Sequence, residues 1–228
     1  MSNGFVIAID GPVAAGKGTI APLLAKNLEG FYLYTGAMYR CLALLCIEKG
    51  IDTKNEQAVI NILSFFKIHF EENKVFLNSE EVTERIKKED VAMRSSDVAV
   101  IKEVREKMVA IQQEIATDLV NKGEIVIAEG RDTGTKVFPN AKFKFFLTAN
   151  PKVRAKRRLL QIEQRQEKTE FAKVLQEVEL RDEQDSNREI DPLPKDPKSL
   201  GYVVLDTSEM TENETIAKIM EVIENDKN

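Results

Sequence analysis

Phe5-Val6-Ile7-Ala8-Ile9-Asp10-Gly11-Pro12-Val13-Ala14-Ala15-Gly16-Lys17-Gly18-Thr19 is the stretch on which the fold turns. Its first five residues are a short, continuous apolar run rich in β-branched side chains, the pattern of a parallel strand buried on both faces. The run breaks at Asp10-Gly11-Pro12, and Gly16-Lys17-Gly18-Thr19 leads into helix-like sequence. Glycines let the backbone turn sharply, so several N–H groups can face one cavity. The helix that follows offers the same cavity its unpaired N–H groups and the positive end of its dipole. Lys17 adds a full charge. G-x-x-x-x-G-K between a strand and a helix is a phosphate cradle. In its usual form a hydroxyl residue directly follows the lysine. Here Gly18 stands there and Thr19 comes next, which weakens the case for a direct hydroxyl–Mg²⁺ bond.

Downstream, strand and helix alternate. Ile20 to Leu28 has a helical apolar side, Phe31 to Tyr34 is a short strand, and Thr35 to about Lys49 is a helix stopped by Gly50. Early alternation favours a doubly wound α/β sheet, whose ligands sit beyond the carboxyl ends of the strands. Both Gly11 to Thr19 and Thr35 to Arg40 leave strand ends, so they should face one cleft. Lys67 to Phe70 and Lys74 to Asn78 then read as a hairpin turning at Glu71-Glu72-Asn73, a small inserted subdomain. Ser79 to Asp90 is too charged to assign. Val98, Ile101, Val104, Met108, Ile111, Ile115 and Leu119 predict one amphipathic helix ending at Asn121-Lys122-Gly123. Glu124 to Glu129 and Lys142 to Thr148 are the next strands. Pro151 opens a helix with Asn150 as cap, and Gln164 to Thr169 is polar and expected to move. Phe171 begins another helix, Pro192, Pro194 and Pro197 mark an irregular connection, Tyr202 to Leu205 is the last strand, and Thr211 to about Ile223 the last helix. Glu224 to Asn228 reads as a frayed tail.

The 228 residues are 43% hydrophobic and carry a net charge of −5, which suits one sizeable domain with a real core. Apolar runs are too short to span a bilayer, and the first strand begins too early to leave room for a signal peptide. A cytoplasmic protein without membrane contact is expected, and the acidic balance argues against non-specific nucleic-acid binding. Cys41 and Cys46 stand roughly 140° apart on a helix, so they cannot share a ligand and read as core-filling residues in a reducing compartment. His69 alternates with Ile68 and Phe70 and belongs on the solvent face of its strand.

A triphosphate and a second phosphorylated substrate call for Arg and Lys clamps, with Mg²⁺. The candidates are Lys17, Arg40, Arg131, Arg154, Arg157, Arg158 and Arg188. Arg154, Arg157 and Arg158 lie on one helix face with Lys152 and Lys156 nearby and no acid before Glu163. A helix needing only solubility would mix signs. Arg181 and Asp185, read alone, are an i, i+4 surface pair worth a few tenths of a kcal/mol. Glu129 closes its strand, where a carboxylate serves either Mg²⁺ through water or the turn itself. No Cys/His metal spacing occurs.

Four motifs occur in order: Gly11-Pro12-x-x-Ala15-Gly16-Lys17, Thr35-Gly36-Ala37-Met38-Tyr39-Arg40, Gly130-Arg131-Asp132-x-Gly134-Thr135-x-Val137-Phe138-Pro139, and Arg181-Asp182-x-x-Asp185-x-x-Arg188-x-x-x-Pro192-Leu193. Together they make the chain resemble the bacterial cytidylate kinases, nucleoside monophosphate kinases, over nearly its whole length. The resemblance implies a P-loop kinase core, α/β with a parallel sheet flanked by helices. It also implies a small antiparallel monophosphate-binding insertion at about 65–90, a short helical lid at about 154–172, and a monomer. It implies transfer of the ATP γ-phosphoryl group to CMP or dCMP with Mg²⁺. Gly11, Pro12, Val13, Ala14, Ala15, Gly16, Lys17, Gly18 and Thr19 would bind ATP, joined by Arg157. Thr35, Arg40, Arg131 and Arg188 would hold the acceptor's phosphate. Ser96, Arg105 and Asp132 would meet cytosine, and Arg181 with Asp185 the ribose. Arg154, Arg157 and Arg158 would close over the transferring group, so that catalysis falls to Lys17, Arg131, Arg154, Arg158 and Arg188, with no direct protein ligand to the metal. An Asp acceptor beside an Arg donor suits cytosine, and a base of opposite pattern would leave buried polar groups unpaired.

The chain departs from that family at Tyr34, where Asp is usual, at Ala14, where glycine is common and the position reads as permissive, and at Val13, bulkier than the usual residue. Two rival readings are another small-molecule kinase on the same fold, and a non-catalytic nucleotide switch or nucleic-acid binder using the basic helix.

Overall fold

The structure is a computed structural model that describes residues 4–71, 74–164 and 168–226. In chain order its elements are β1 (Phe5–Asp10), α1 (Lys17–Asn27), β2 (Phe31–Tyr34), α2 (Thr35–Glu48), α3 (Glu56–Ile62), β3 (Ile68–Glu71), β4 (Lys74–Leu77) and β5 (Glu80–Glu81). There follow α4 (Glu89–Val98), α5 (Lys102–Asn121), β6 (Ile125–Glu129), β7 (Phe143–Thr148), α6 (Pro151–Gln164), α7 (Phe171–Asn187), β8 (Val203–Asp206) and α8 (Glu212–Asn225).

The main sheet has the order β2-β6-β1-β7-β8, every pair parallel. β1 is central: Phe5 to Ile9 run beside Ile125 to Glu129, and Ile7 to Asp10 beside Phe143 to Phe146. A strand hydrogen-bonded on both edges and covered on both faces has no polar side to present, which is why its apolar run is continuous. Ile7 and Ile9 pack with α1 and α8 through Leu24 and Ile219, while Val126 and Ala128 face Val109 and Ala116 of α5. The doubly wound expectation holds. After β2 the chain returns through β6 and then crosses β1 to β7, so the carboxyl ends of β1 and β6 flank the crevice where such sheets bind ligands.

The antiparallel insertion is present and carries a third strand, in the order β3-β4-β5. Val75, Leu77 and Val82 join a core with Leu42 and Leu45 of α2 and Met108 of α5. The expected turn at Glu71-Glu72-Asn73 falls partly on residues 72–73, outside the described residues. His69 is exposed, as expected, and stacks on Phe76 with ring centroids 4.5 Å apart. Cys41 and Cys46 are fully buried in this core, and burial pushes their thiols up to about 12 and about 11.

The single helix predicted from Val98 is two. Val98 ends α4, and Ile101 stands at the N-cap of α5 in extended conformation (ψ 126°). Both are buried, so the apolar spacing runs across a real break. The unassigned Ser79–Asp90 segment contains β5 and the start of α4, and α3 was not anticipated. α8 extends to Asn225, past the predicted start of a frayed tail, because Thr211 and Glu214 form a full capping box and Ile219 and Ile223 are buried. Asn150 caps α6 by accepting the Lys152 N–H at 2.9 Å. Gln164 is the last residue of that helix, and 165–167 of the expected mobile stretch lie outside the described residues.

Candidate active site

The glycine-bordered loop leaves β1 at the centre of the sheet. Gly11 has φ 147°, and a Cβ there would lie 2.0 Å from the Leu147 carbonyl oxygen, so only glycine fits. Gly16 (φ 97°) caps α1 in the left-handed region. Ala14 has φ 56°, so the position is not permissive: it is the left-handed conformation in which a side chain costs about 1–2 kcal/mol. Lys17 is 5% exposed and folds back to donate from Nζ to the Gly11 and Pro12 carbonyls at 2.7 and 2.8 Å. Burial, and next the positive Arg131, lower its pKa from 10.5 to about 7 against the partial offset of Glu129, Asp10 and Asp185. Lys17 and the arginine after β6 therefore feel each other across one cleft.

Asp10 ties this loop to the turn after β6. Its carboxylate accepts the Thr133 and Gly134 N–H groups at 2.9 and 2.7 Å and the Tyr202 hydroxyl at 2.7 Å. A Cβ on Gly134 would meet that hydroxyl at 2.7 Å. A short π-helical turn, Thr133–Val137, follows, with Asp132 at its N-cap and Arg131 just before it.

Opposite lies a network of guanidinium and carboxylate groups. Asp185 takes Arg131 Nε at 2.6 Å and Arg181 Nε at 3.3 Å. Burial opposes its charge, but Arg131 and Arg181 outweigh burial and hold its carboxyl below the usual range. Arg105, 1% exposed, pairs with Asp132, with Asp191 at 3.0 Å, and with the Ala99 carbonyl at 3.2 Å. Arg188 reaches Asp132 at 3.1 Å and the Asp191 carbonyl at 2.6 Å. Ser96 is in hydrogen-bond contact with Arg181. Thr35 donates to the Glu129 carbonyl at 2.6 Å and Arg40 to the Ile86 carbonyl at 3.1 Å. A cavity of about 480 Å³ opens between α4 and α7, bounded by Ser96, Val100, Leu180, Arg181, Asp185 and Arg188.

The three arginines of α6 share a helix face but not a target. Arg154 is buried and donates to the carbonyls of Ala149 and Val13 at 2.9 and 3.0 Å, and pairs with Asp182 at 2.6 Å. Arg157 holds Thr207 by its hydroxyl (3.0 Å) and carbonyl (2.6 Å), and Arg158 pairs with Glu89 of α4 at 2.9 Å. Tyr34 stands at the N-cap of α2, with its ring parallel to Tyr32 at 6.0 Å, and burial raises its pKa. Tyr32 in turn donates to Glu129 at 3.3 Å. Among the described residues no group of three or more His, Cys, Asp or Glu could hold a metal by itself. The buried Glu129 carboxylate, whose charge acts on Lys17, has the chemistry to hold a hydrated cation through water.

Asp10, Asp182 and Asp191 were given no role from the sequence, although Asp182 stands in the fourth motif. Asp10 had a legible signal, an acid ending an apolar strand, the feature that singled out Glu129. Asp191 had none: it adopts φ 49° where the chain leaves α7 for the proline-rich connection, and no periodicity marks it.

A lysine-bearing glycine loop at the end of the central parallel strand, facing an arginine-lined cleft, defines a P-loop kinase fold. Solved structures agree on the fold: an uncharacterized protein from Eubacterium ventriosum (TM-score 0.56, 10% identity, covering 97% of this chain and 98% of that one) and a sugar kinase from Janibacter sp. (TM-score 0.50, 12% identity, 97% and 95%). Sequence comparison goes further. The family profile of cytidylate kinase matches residues 7–225. Curated cytidylate kinases from Clostridium tetani (40% identical, 96% of this chain and 93% of that one), Clostridioides difficile (41%, 96% and 97%) and Neisseria meningitidis (40%, 97% and 98%) align over nearly the whole length. The chain belongs to the cytidylate kinase family.

Proposed function

We propose that the protein transfers the γ-phosphoryl group of ATP to CMP or dCMP, as a cytoplasmic monomer. The observation that carries this is the match to cytidylate kinases across the whole chain at about 40% identity, since it spans both halves of the cleft. Gly11 to Thr19 cradle the ATP phosphates, with Lys17 turning from its own loop carbonyls to the phosphate oxygens and Arg157 on the same side. Thr35, Arg40, Arg131 and Arg188 hold the acceptor phosphate. Ser96, Arg105 and Asp132 read the cytosine edge, and Arg181 with Asp185 the ribose. Residues 65–90 form the acceptor-side insertion and 154–172 the lid.

No enzyme nucleophile is needed, because the acceptor's phosphate oxygens are already ionised near neutral pH and attack in line. The protein supplies position and charge. Arg158 leaves Glu89 and, with Arg154 and Arg131, neutralises charge on the transferring group. Closure excludes the water that would otherwise take the phosphoryl group. Mg²⁺, when bound on the nucleotide, supplies further charge neutralisation, and Glu129 would hold it through water.

A coupled assay of ADP release with ATP, Mg²⁺ and a panel of CMP, dCMP, UMP, AMP and a sugar acceptor tests the reading. Turnover is expected with CMP or dCMP above all others. Turnover on another acceptor in preference to both favours a different kinase. ATP hydrolysis or binding with no acceptor phosphorylated favours a nucleotide switch.

A further inference from the structure

Asp182 belongs to no assigned site, yet its carboxylate reaches the phosphate cradle from α7. One oxygen accepts the Val13 N–H at 3.2 Å. The other pairs at 2.6 Å with Arg154, whose guanidinium donates to the Val13 carbonyl at 3.0 Å. A single ion pair thus grips the N–H and the C=O of one loop residue, next to the left-handed Ala14. The Val13 side chain packs against the small core that joins α6 and α7, with Ala155, Val174 and Val178. The larger side chain at this position therefore anchors the cradle to the two helices. Arg181 and Asp185 stand on α7 and Arg188 at its C-cap, three of the acceptor-side groups within two turns of Asp182.

We propose that Asp182 is a positioning residue that couples the two ligand sites: α7 transmits acceptor binding to the cradle through Asp182, Arg154 and the Val13 peptide groups. The inference rests on the kinase reading above. An acceptor that engages Arg181, Asp185 and Arg188 fixes α7. That fixes the Asp182 carboxylate, and with it the Val13 backbone. A cradle already ordered loses less freedom when phosphate enters, so the second ligand binds more tightly. Coupling of this kind is reciprocal: each ligand strengthens the other by the same factor.

Titration calorimetry with CMP and a non-hydrolysable ATP analogue plus Mg²⁺, each alone and each with the other saturating, reads the factor directly. In the unmodified protein each ligand is expected to tighten the other by about fivefold or more. In Asp182→Ala the factor should fall to near one and the analogue alone should bind about tenfold more weakly, while CMP alone binds as before. Because Asp182→Ala leaves Arg154 buried without its counter-charge and can unfold the lid helices, the near-isosteric Asp182→Asn carries the same test. It keeps an acceptor for the Val13 amide and loses the ionic partner of Arg154, so its factor should lie between the other two. A folded variant of either kind that keeps the full coupling factor overturns the proposal, as does a parent protein with none. If the parent protein binds neither nucleotide, the kinase reading fails first; if it binds both and the variants stay coupled, only the role of Asp182 fails.

Discussion

Lys17 ties the chemistry of the cleft to pH in a way that can be measured. Free of ligand, its ammonium is buried against two carbonyls and near Arg131, and burial first and Arg131 second bring its pKa from 10.5 to about 7. Phosphates placed on it would restore the charged form. At 1.36 kcal/mol per factor of ten in proton affinity, keeping Lys17 charged in the empty cleft costs about 5 kcal/mol. Between pH 7 and 10.5 the unfolded chain holds a proton that the folded one does not, so this group's contribution to the stability of the free protein rises with pH across that window. Nucleotide binding has the opposite dependence, because the bound state takes the proton back. Binding of an ATP analogue with Mg²⁺ should weaken about fivefold from pH 7 to pH 8 and about fiftyfold by pH 9. It should also take up about 0.9 proton at pH 8 and about 0.1 at pH 6. Calorimetry in buffers of differing ionisation enthalpy reads both quantities. Lys17→Arg is the control: a guanidinium stays protonated throughout, so its weaker binding should show no slope. A dissociation constant that is flat between pH 7 and 9, with no proton uptake at pH 8, would refute the assignment of Lys17 as a lysine whose proton is loosened by burial and held by phosphate.

Asp132→Ala should raise KM for CMP and reduce the preference for CMP over UMP by at least about tenfold; an unchanged ratio removes Asp132 from base reading. Arg105→Ala leaves Asp132 and Asp191 without their shared buried cation and should destabilise the fold by about 3–5 kcal/mol, seen as a lower midpoint in urea. A loss under about 1 kcal/mol would show that Arg188 already balances Asp132. Tyr202→Phe deletes one of the three donors to Asp10 and should cost about 1–3 kcal/mol in the same experiment. Arg188→Ala should fold and lose most of its turnover; near wild-type rates would remove Arg188 from the site.

What could be read in the sequence was what is encoded locally. The cradle is a contiguous run, each buried parallel strand is a contiguous run, and ligand sites in such sheets follow strand ends, so the ends of β1, β2 and β6 mark the cleft in the sequence itself. The break between α4 and α5 was hidden because Val98 and Ile101 are three apart and both buried, a spacing that a continuous helix also satisfies. β5 is two residues long and both are exposed glutamates, too short and too polar to carry a period. The Arg181–Asp185 pair was visible because both partners lie on one helix. The Asp182–Val13 contact joins residues 169 apart and was not. Helical spacing likewise put Arg154, Arg157 and Arg158 on one face, but where each points depends on what packs beside that face. The segments that receive them, Val13, Thr207 and Glu89, come from three distant parts of the chain.

Pairing with carboxylates explains how an acidic protein can keep so many arginines around one cleft. Brought together bare, Arg131, Arg181 and Arg188 would repel one another in partly buried surroundings and splay into solvent. Instead Asp185 is shared by Arg131 and Arg181, and Asp132 by Arg105 and Arg188. Each carboxylate has a cost, because a phosphate must compete with it for the guanidinium. The return is geometric: donors already held in place need not be ordered when the ligand arrives. Arg158 follows a different logic. Its partner Glu89 is partly exposed and belongs to α4 rather than to the cleft floor, so that ion pair is weak and simple to exchange. The tightly paired arginines are therefore suited to hold a substrate, and the loosely paired one to move onto it.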